Sequence, residues 1–232
     1  VDAPVFGAPA LPELTTQQRG GLYREMSRVL AAIHSVDLHA AGLIDYGRPG
    51  NYFARQIDRW TKQYRASETE HLEGMEALID WLPANMPEDD GKVCLVHGDY
   101  RLDNLMFSHD ASRVLAVVDW ELSTLGHPYA DLAYQCSQLR LSKDSELSGL
   151  GGVDRAELGI PDEASYVAMY CDYMGLEGIP DWNFYLMFSF FRFAAILQGV
   201  KKRALDGNAS SDRAMKMATM IEPLVELAMD LR

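Results

Sequence analysis

The 232-residue sequence predicts a mainly helical fold with a small β hairpin sheet set into it, an α+β architecture. Two textures predict this. Long stretches repeat apolar residues at helical spacing, whereas the interval from Val93 to Val118 holds three short runs rich in apolar and β-branched residues, VCLV, LMF and VLAVV. The expected body is helix before and after, with strands in between.

The opening VDAPVFGAPALPEL carries three prolines and little periodicity, and reads as an extended segment. Thr15 and Gln18 then stand at capping-box spacing, and Leu22, Met26, Val29, Leu30 and Ile33 follow on one face, so a first helix runs to about His34. A second starts near Tyr52, with Phe53, Ile57, Trp60 and Tyr64 as its apolar stripe and Arg55, Arg59, Lys62 and Arg65 on the remaining faces. Leu72, Met75, Leu78, Ile79 and Leu82 mark a third. Beyond the strands, helices are expected over Tyr129–Leu139, Glu163–Met174, Asp181–Ala204 and Asp212–Leu231. Pro128, Pro161 and Pro180 stand near their starts, where a missing amide donor costs nothing. Ser142 to Gly159, with four glycines and mixed charges, reads as loop. The most apolar run, Phe184 to Val200, carries Arg192 and falls short of a bilayer span, so it reads as a buried helix.

The formal charge is −13, which argues against a protein that coats nucleic acid or an anionic membrane; neither partner is expected. Three cysteines, Cys94, Cys136 and Cys171, lack CxxC spacing and sit among apolar neighbours, the pattern of reduced core thiols in a cytoplasmic protein. Among the histidines there is no metal-ligand spacing. GLGG at Gly149 to Gly152 follows no strand and lacks the third glycine of a nucleotide loop.

Chemistry concentrates in LVHGDYRLDNLMF, Leu95 to Phe107, where ionisable groups interrupt an otherwise buried pattern. Asp99 and Asn104 lie five apart on a loop between strands, and Asp119 ends the third run in VVDWE, so a returning hairpin brings all three towards one rim. Two carboxylates and an amide are hard oxygen donors of the kind that hold a divalent cation together with substrate phosphate. Phosphoryl transfer needs a metal, a carboxylate near the attacking hydroxyl and a cation. Asp119 and Asn104 suit the metal, and Asp99 suits the hydroxyl.

H-G-D-Y-R-L-D-N from His97 to Asn104, followed by D-W-E from Asp119 to Glu121, resembles the catalytic loop and metal-binding motif of the aminoglycoside phosphotransferase and choline kinase family, small-molecule relatives of the protein kinases. The aspartate-to-asparagine spacing is that of H-R-D-x-x-x-x-N, with Gly98 in place of arginine. The resemblance implies that Asp99 is the catalytic base, that Asn104 and Asp119 hold magnesium, and that His97, which also braces the loop, meets the cofactor together with Asn104 and Asp119. Arg101 admits two readings, a phosphate-neutralising cation or a structural partner of a nearby carboxylate. Glu121 likewise either supports the metal through water or caps the following turn. Asp103 reads as a solvated loop residue, and Asp131 as an anchor accepting backbone amides of the catalytic loop.

N-Y-F-A-R-Q-I-D-R-W-T-K-Q-Y from Asn51 and E-L-S-T-L-G-H-P-Y-A-D-L-A-Y from Glu121 are similar to the subgroup of that family fused to, or encoded beside, acyl-CoA dehydrogenases. This implies a magnesium- and ATP-dependent phosphotransferase acting on a hydroxyl of a small molecule, with a hydroxyacyl-CoA as first choice, an aminoglycoside, choline or sugar alcohol as runner-up, and an acyl-CoA dehydrogenase as associate. It also implies the C-terminal lobe of a protein-kinase-like fold. Such kinases cover ATP with a glycine-rich loop and hold it with a strand lysine. Before His97 only Lys62 and Lys92 occur, neither in that setting, so the expectation is that residues 1–232 are the catalytic lobe alone, inactive without its N-terminal partner lobe. A non-catalytic binding lobe is the competing class.

Overall fold

The computed structural model describes residues 3–207 and 211–232. In chain order the elements are α1 (Thr16–His34), α2 (Tyr52–Ser67), α3 (Glu73–Ala84), β1 (Cys94–Val96), β2 (Leu105–Phe107), β3 (Val114–Val117), β4 (Thr124–Gly126), α4 (Tyr129–Arg140), α5 (Arg155–Leu158), α6 (Glu163–Met174), α7 (Trp182–Leu205), α8 (Ser211–Ala218) and α9 (Ile221–Met229), with 3-10 turns at Leu102–Asn104 and Trp120–Leu122. The chain divides into two compact units.

The first unit takes the chain up to Gly50, then Lys92–Lys143 and Ser148–Pro180. Here α1 begins where its sequence says it should: the Thr15 hydroxyl accepts from the Gln18 amide at 3.3 Å while the Gln18 side chain takes the Thr15 amide at 3.0 Å. Two orphan donors of the first turn are satisfied reciprocally. The buried stripe of α1, with Leu22, Met26 and Leu30 at most 1% exposed, packs against α6, β1 and β3. The sheet is not one hairpin. β2 pairs antiparallel with β3, as expected from LMF and VLAVV, but β1 pairs with β4, a strand of Thr124, Leu125 and Gly126 that no alternation announces. Two two-stranded sheets therefore flank the polar loop. The third run stops at Val117, so Asp119 lies two residues past the strand rather than at its end. The loop expected over 142–159 contains the short helix α5, and its GLGG tucks under the end of α4: a side chain at Gly149 would meet the Leu141 carbonyl at 2.2 Å. The glycines there serve backbone packing.

The second unit, Asn51–Gly91, Asp144–Leu147 and Asp181–Arg232, is helical. α7 packs against α2, α3, α8 and α9. Its Phe184, Phe188, Phe190 and Phe191 are at most 2% exposed, and Phe53 of α2 sits edge-on to Phe188 at 5.1 Å. At 24 residues α7 is long and apolar enough to cross a bilayer by composition, yet 83% of its most apolar 18-residue stretch is buried inside the protein, so it is the core helix the sequence predicts. The single helix expected over Asp212–Leu231 is two. Pro223, in the first turn of α9, has no amide to donate and its ring crowds the carbonyl four residues back. The chain answers with i→i+3 bonds from Thr219 to Lys216 and from Met220 to Met217. On α2, Arg65 pairs with Glu76 and Glu68, and Lys62 with Asp58 at 2.8 Å, so these two cations of the basic face are already neutralised within the unit.

Candidate active site

The loop from His97 to Asn104 is polar, but little of it is free. His97 is fully buried. Its Nδ1 accepts the Asp99 amide at 3.2 Å, which leaves Nε2 to carry the proton and donate to the Val118 carbonyl at 2.9 Å. One imidazole thus joins the catalytic loop to the strand that leads into Asp119. This corrects its place among the cofactor-contacting residues: both ring nitrogens are consumed by protein and the ring is sealed beneath Trp120, 4.7 Å away. A second tie runs between the same segments, from the Val118 amide to the Asn104 carbonyl at 3.0 Å.

Gly98 explains why this loop departs from the arginine of the kinase pattern. Its φ is +85°, and an added Cβ would meet the Leu122 carbonyl at 2.5 Å, so only glycine lets the turn after Asp119 lie against the loop. Asp119 itself sits at φ +65°, the left-handed region that aspartate tolerates better than most residues. Backbone held in such a conformation is found disproportionately at functional sites.

Asp99 is half-buried and gripped from two sides. The Tyr134 hydroxyl donates to its Oδ1 at 2.6 Å, and Asn104 Nδ2 donates to its Oδ2 at 3.1 Å and to its carbonyl at 2.8 Å. Each carboxylate oxygen has one donor and keeps room for another. Because both Asn104 donors point at Asp99, its Oδ1 faces away. Among the described residues no hydrogen bond reaches that oxygen or the exposed carboxylates of Asp119 and Glu121. Unpartnered hard oxygens from an amide and two carboxylates fit a magnesium ion that keeps much of its water shell. Glu121 lies inside the 3-10 turn without capping it.

Arg101 takes the structural reading of its two. Both its Nε and an Nη bond Asp103, which is a paired residue whose side chain stays 40% exposed. Burial opposes the Arg101 charge, and the Asp103 carboxylate more than compensates, holding the guanidinium well above its ordinary range.

The loop is hung from α4. Asp131, 1% exposed, accepts the His97 amide at 2.6 Å and the Gly98 amide at 2.8 Å, one on each oxygen. Three residues on, and therefore on the same helix face, Tyr134 holds Asp99. Tyr134's hold on Asp99 escaped the sequence reading, as did the partners of the structural histidine His34, whose Nε2 lies 3.3 Å from Asp131 and whose Nδ1 lies 2.7 Å from the Tyr170 hydroxyl. The spacing of Asp131 and Tyr134 was a usable signal; nothing local marks His34. The three cysteines are free and buried, and burial pushes the Cys94 and Cys136 thiols up, out of the reactive range.

A helical lobe with a buttressed His-Gly-Asp loop and a left-handed Asp-Trp-Glu turn at its sheets is the C-terminal-lobe architecture of the kinase-like phosphotransferases. The chain belongs to the phosphotransferase enzyme family, whose model matches residues 4–167. It is 50% identical, over 97% of its length, to the mouse protein named acyl-CoA dehydrogenase family member 10, of which it spans 21%. A crystal structure of a Ralstonia eutropha protein assigned as an aminoglycoside phosphotransferase matches all of this chain at TM-score 0.95 and 50% identity, with 70% of that chain covered. Choline kinase from Cryptosporidium parvum matches all of it at TM-score 0.64 and 12% identity, a likeness of fold, with 69% of that chain covered.

Proposed function

We propose that this chain carries the catalytic carboxylate, the metal ligands and the acceptor site of an ATP- and magnesium-dependent phosphotransferase that acts on a hydroxyl of a small molecule. The observation that carries the reading is the fixing of Asp99 by Tyr134 and Asn104 on a loop suspended from Asp131. A carboxylate with one open lone pair per oxygen, held on a rigid support, is what a hydroxyl nucleophile needs. Asp99 accepts the proton as the acceptor oxygen bonds the γ-phosphorus and the bond to the ADP oxygen breaks. Asn104 and Asp119, with Glu121 beyond them, would hold magnesium, which when bound neutralises phosphate charge. Arg101, tied to Asp103, contributes shape to the loop more than charge to a phosphate. A lobe covering ATP, supplied by sequence outside these residues, completes the enzyme, consistent with the 70% coverage of the Ralstonia protein.

For the acceptor, a hydroxyacyl-CoA is the first choice, supported by a relative whose name places it among acyl-CoA dehydrogenases and 21% of whose length this chain matches. An aminoglycoside, choline or a sugar alcohol is the runner-up. The test is ATP consumption by the full-length protein with hydroxyacyl-CoAs, kanamycin and choline, at graded magnesium. Turnover that depends on an acceptor, with an Asp119→Ala variant needing about tenfold more magnesium, is expected. Absence of acceptor-dependent turnover throughout the panel would favour a binding lobe.

A further inference from the structure

Helix α9 and the start of α3 enclose a crevice of about 330 Å³ in the second unit. Its floor exists because a side chain is missing: a Cβ on Gly74, in the first turn of α3, would meet Val225 Cγ1 at 2.3 Å. Leu72 and Met229, both partly exposed, are its apolar walls. Four exposed carboxylates stand round it, Glu73 on α3, Glu222 and Glu226 on α9, and Asp230 at the end of α9. Among the described residues no ion pair or hydrogen bond reaches any of the four. No lysine or arginine lies between Arg65 and Lys92 or between Lys216 and Arg232, so neither lining segment supplies a counter-charge from its own sequence.

Elsewhere in this unit acidic groups find cations: Asp58 meets Lys62, Glu68 and Glu76 meet Arg65, Glu70 meets Lys201, and Asp206 meets Lys202. Around the crevice the charges instead oppose the helix that carries them. Glu222, Glu226 and Asp230 recur every four residues, the spacing at which like charges on a helix repel. Asp230 is also the C-terminal cap of α9, where exposed carbonyls favour a cation. A local rule broken with no compensation inside the unit is expected where function needs it. The stripe of carboxylates runs about 12 Å along α9, at the helical rise per residue. A cavity of this size is at the lower bound for a whole small ligand and ample for an apolar side chain.

We propose that the crevice docks a basic helix of a partner protein. Lysines or arginines four residues apart on that helix meet Glu222, Glu226 and Asp230, and one of its apolar side chains enters over Gly74 between Leu72 and Met229. Charge complementarity selects this occupant. A small amine is too short to meet carboxylates spread over that length, and a polyamine leaves the apolar floor uncovered. A second copy of this chain brings a further formal charge of −13 to an already acidic face. The assignment is independent of the phosphotransferase reading, and ATP consumption is not its readout.

The experiment measures fluorescence anisotropy of a labelled alanine-based peptide mixed with the full-length protein. The peptide has roughly 16 residues, long enough to be helical in water, with lysines four apart and a leucine flanked by them on the same face. Combining Glu222→Gln, Glu226→Gln and Asp230→Asn should weaken binding roughly tenfold, the product of three exposed ion pairs. Replacing the peptide leucine by serine should weaken it about tenfold as well, and Met229→Ser should weaken it by less. Raising salt from about 50 to 300 mM should weaken the wild-type complex more than the triple variant. The triple variant should melt at or above the wild-type temperature, because like charges have been removed. A lower melting temperature would show that the carboxylates serve the fold itself and would overturn the proposal. So would no binding, equal binding by the triple variant, equal binding of a scrambled peptide of the same composition, or spermine binding as tightly as the peptide. Self-association of the protein that the triple variant abolishes would assign the face to a second copy and overturn it too.

Discussion

Helices α4 and α7 are both buried nearly all round, and they are buried for opposite reasons. Along α7 the enclosed residues are mostly aromatic and aliphatic, with four phenylalanines at most 2% exposed. Along α4 the enclosed residues include Asp131, Gln135 and Ser137, none above 2% exposed. Apolar burial is non-directional and scales with area, so it stabilises without specifying where any one atom goes. Buried polar groups must meet their partners at hydrogen-bond distance, and so they fix positions. Helix α7 holds its unit together; α4 positions a loop through Asp131 and Tyr134.

That contrast predicts different signatures. Removing the Asp131 carboxylate leaves two buried amides and His34 without their acceptor. Asp131→Ala should therefore cost about 3–5 kcal/mol, seen as a lower denaturation midpoint, and should lower turnover in the fraction that remains folded. Phe190→Ala in α7 creates a cavity and should cost a similar ~3–5 kcal/mol by the same measurement, but turnover per folded molecule should hold. Equal turnover losses in the two variants would erase the distinction between the helices.

Gly98→Ala tests the loop backbone directly. The left-handed φ alone costs about 1–2 kcal/mol, and the Leu122 carbonyl cannot withdraw without moving the Asp119 turn, so magnesium dependence should shift along with the midpoint. Tyr134→Phe removes one hydroxyl and should cost about 1–2 kcal/mol of stability with a clear fall in kcat. Smallest is Thr15→Ala at the start of α1, about 1 kcal/mol by thermal unfolding with no effect on activity, because the capping box touches no part of the loop.

The same contrast explains what could be read from sequence. Apolar periodicity is a local signal, and it located α1, α4, α6 and α7 within a residue or two of their observed ends and marked the start of α2 and the apolar face of α3. It failed where a single residue overrides it, at Pro223, and where a strand is too short to alternate, at β4. The residues of the candidate site were legible as a motif because Asp99, Asn104 and Asp119 are close in sequence. Their supports were legible only in part. Asp131 could be inferred as an amide acceptor, and its three-residue spacing put Tyr134 on the same face, whereas the bond of His34 to Asp131 spans 97 residues and leaves no local trace. Arg101 and Asp103, two apart, could be seen to neutralise one another only once the chain direction between them was known.

The account stands on Asp99 as the group that handles the acceptor hydroxyl. The most direct measurement is kcat for Asp99→Asn in the full-length protein, with the melting temperature taken on the same sample. A fall of about 100-fold or more, with the melting temperature nearly unchanged, is the predicted result. Turnover within twofold of wild type would contradict it.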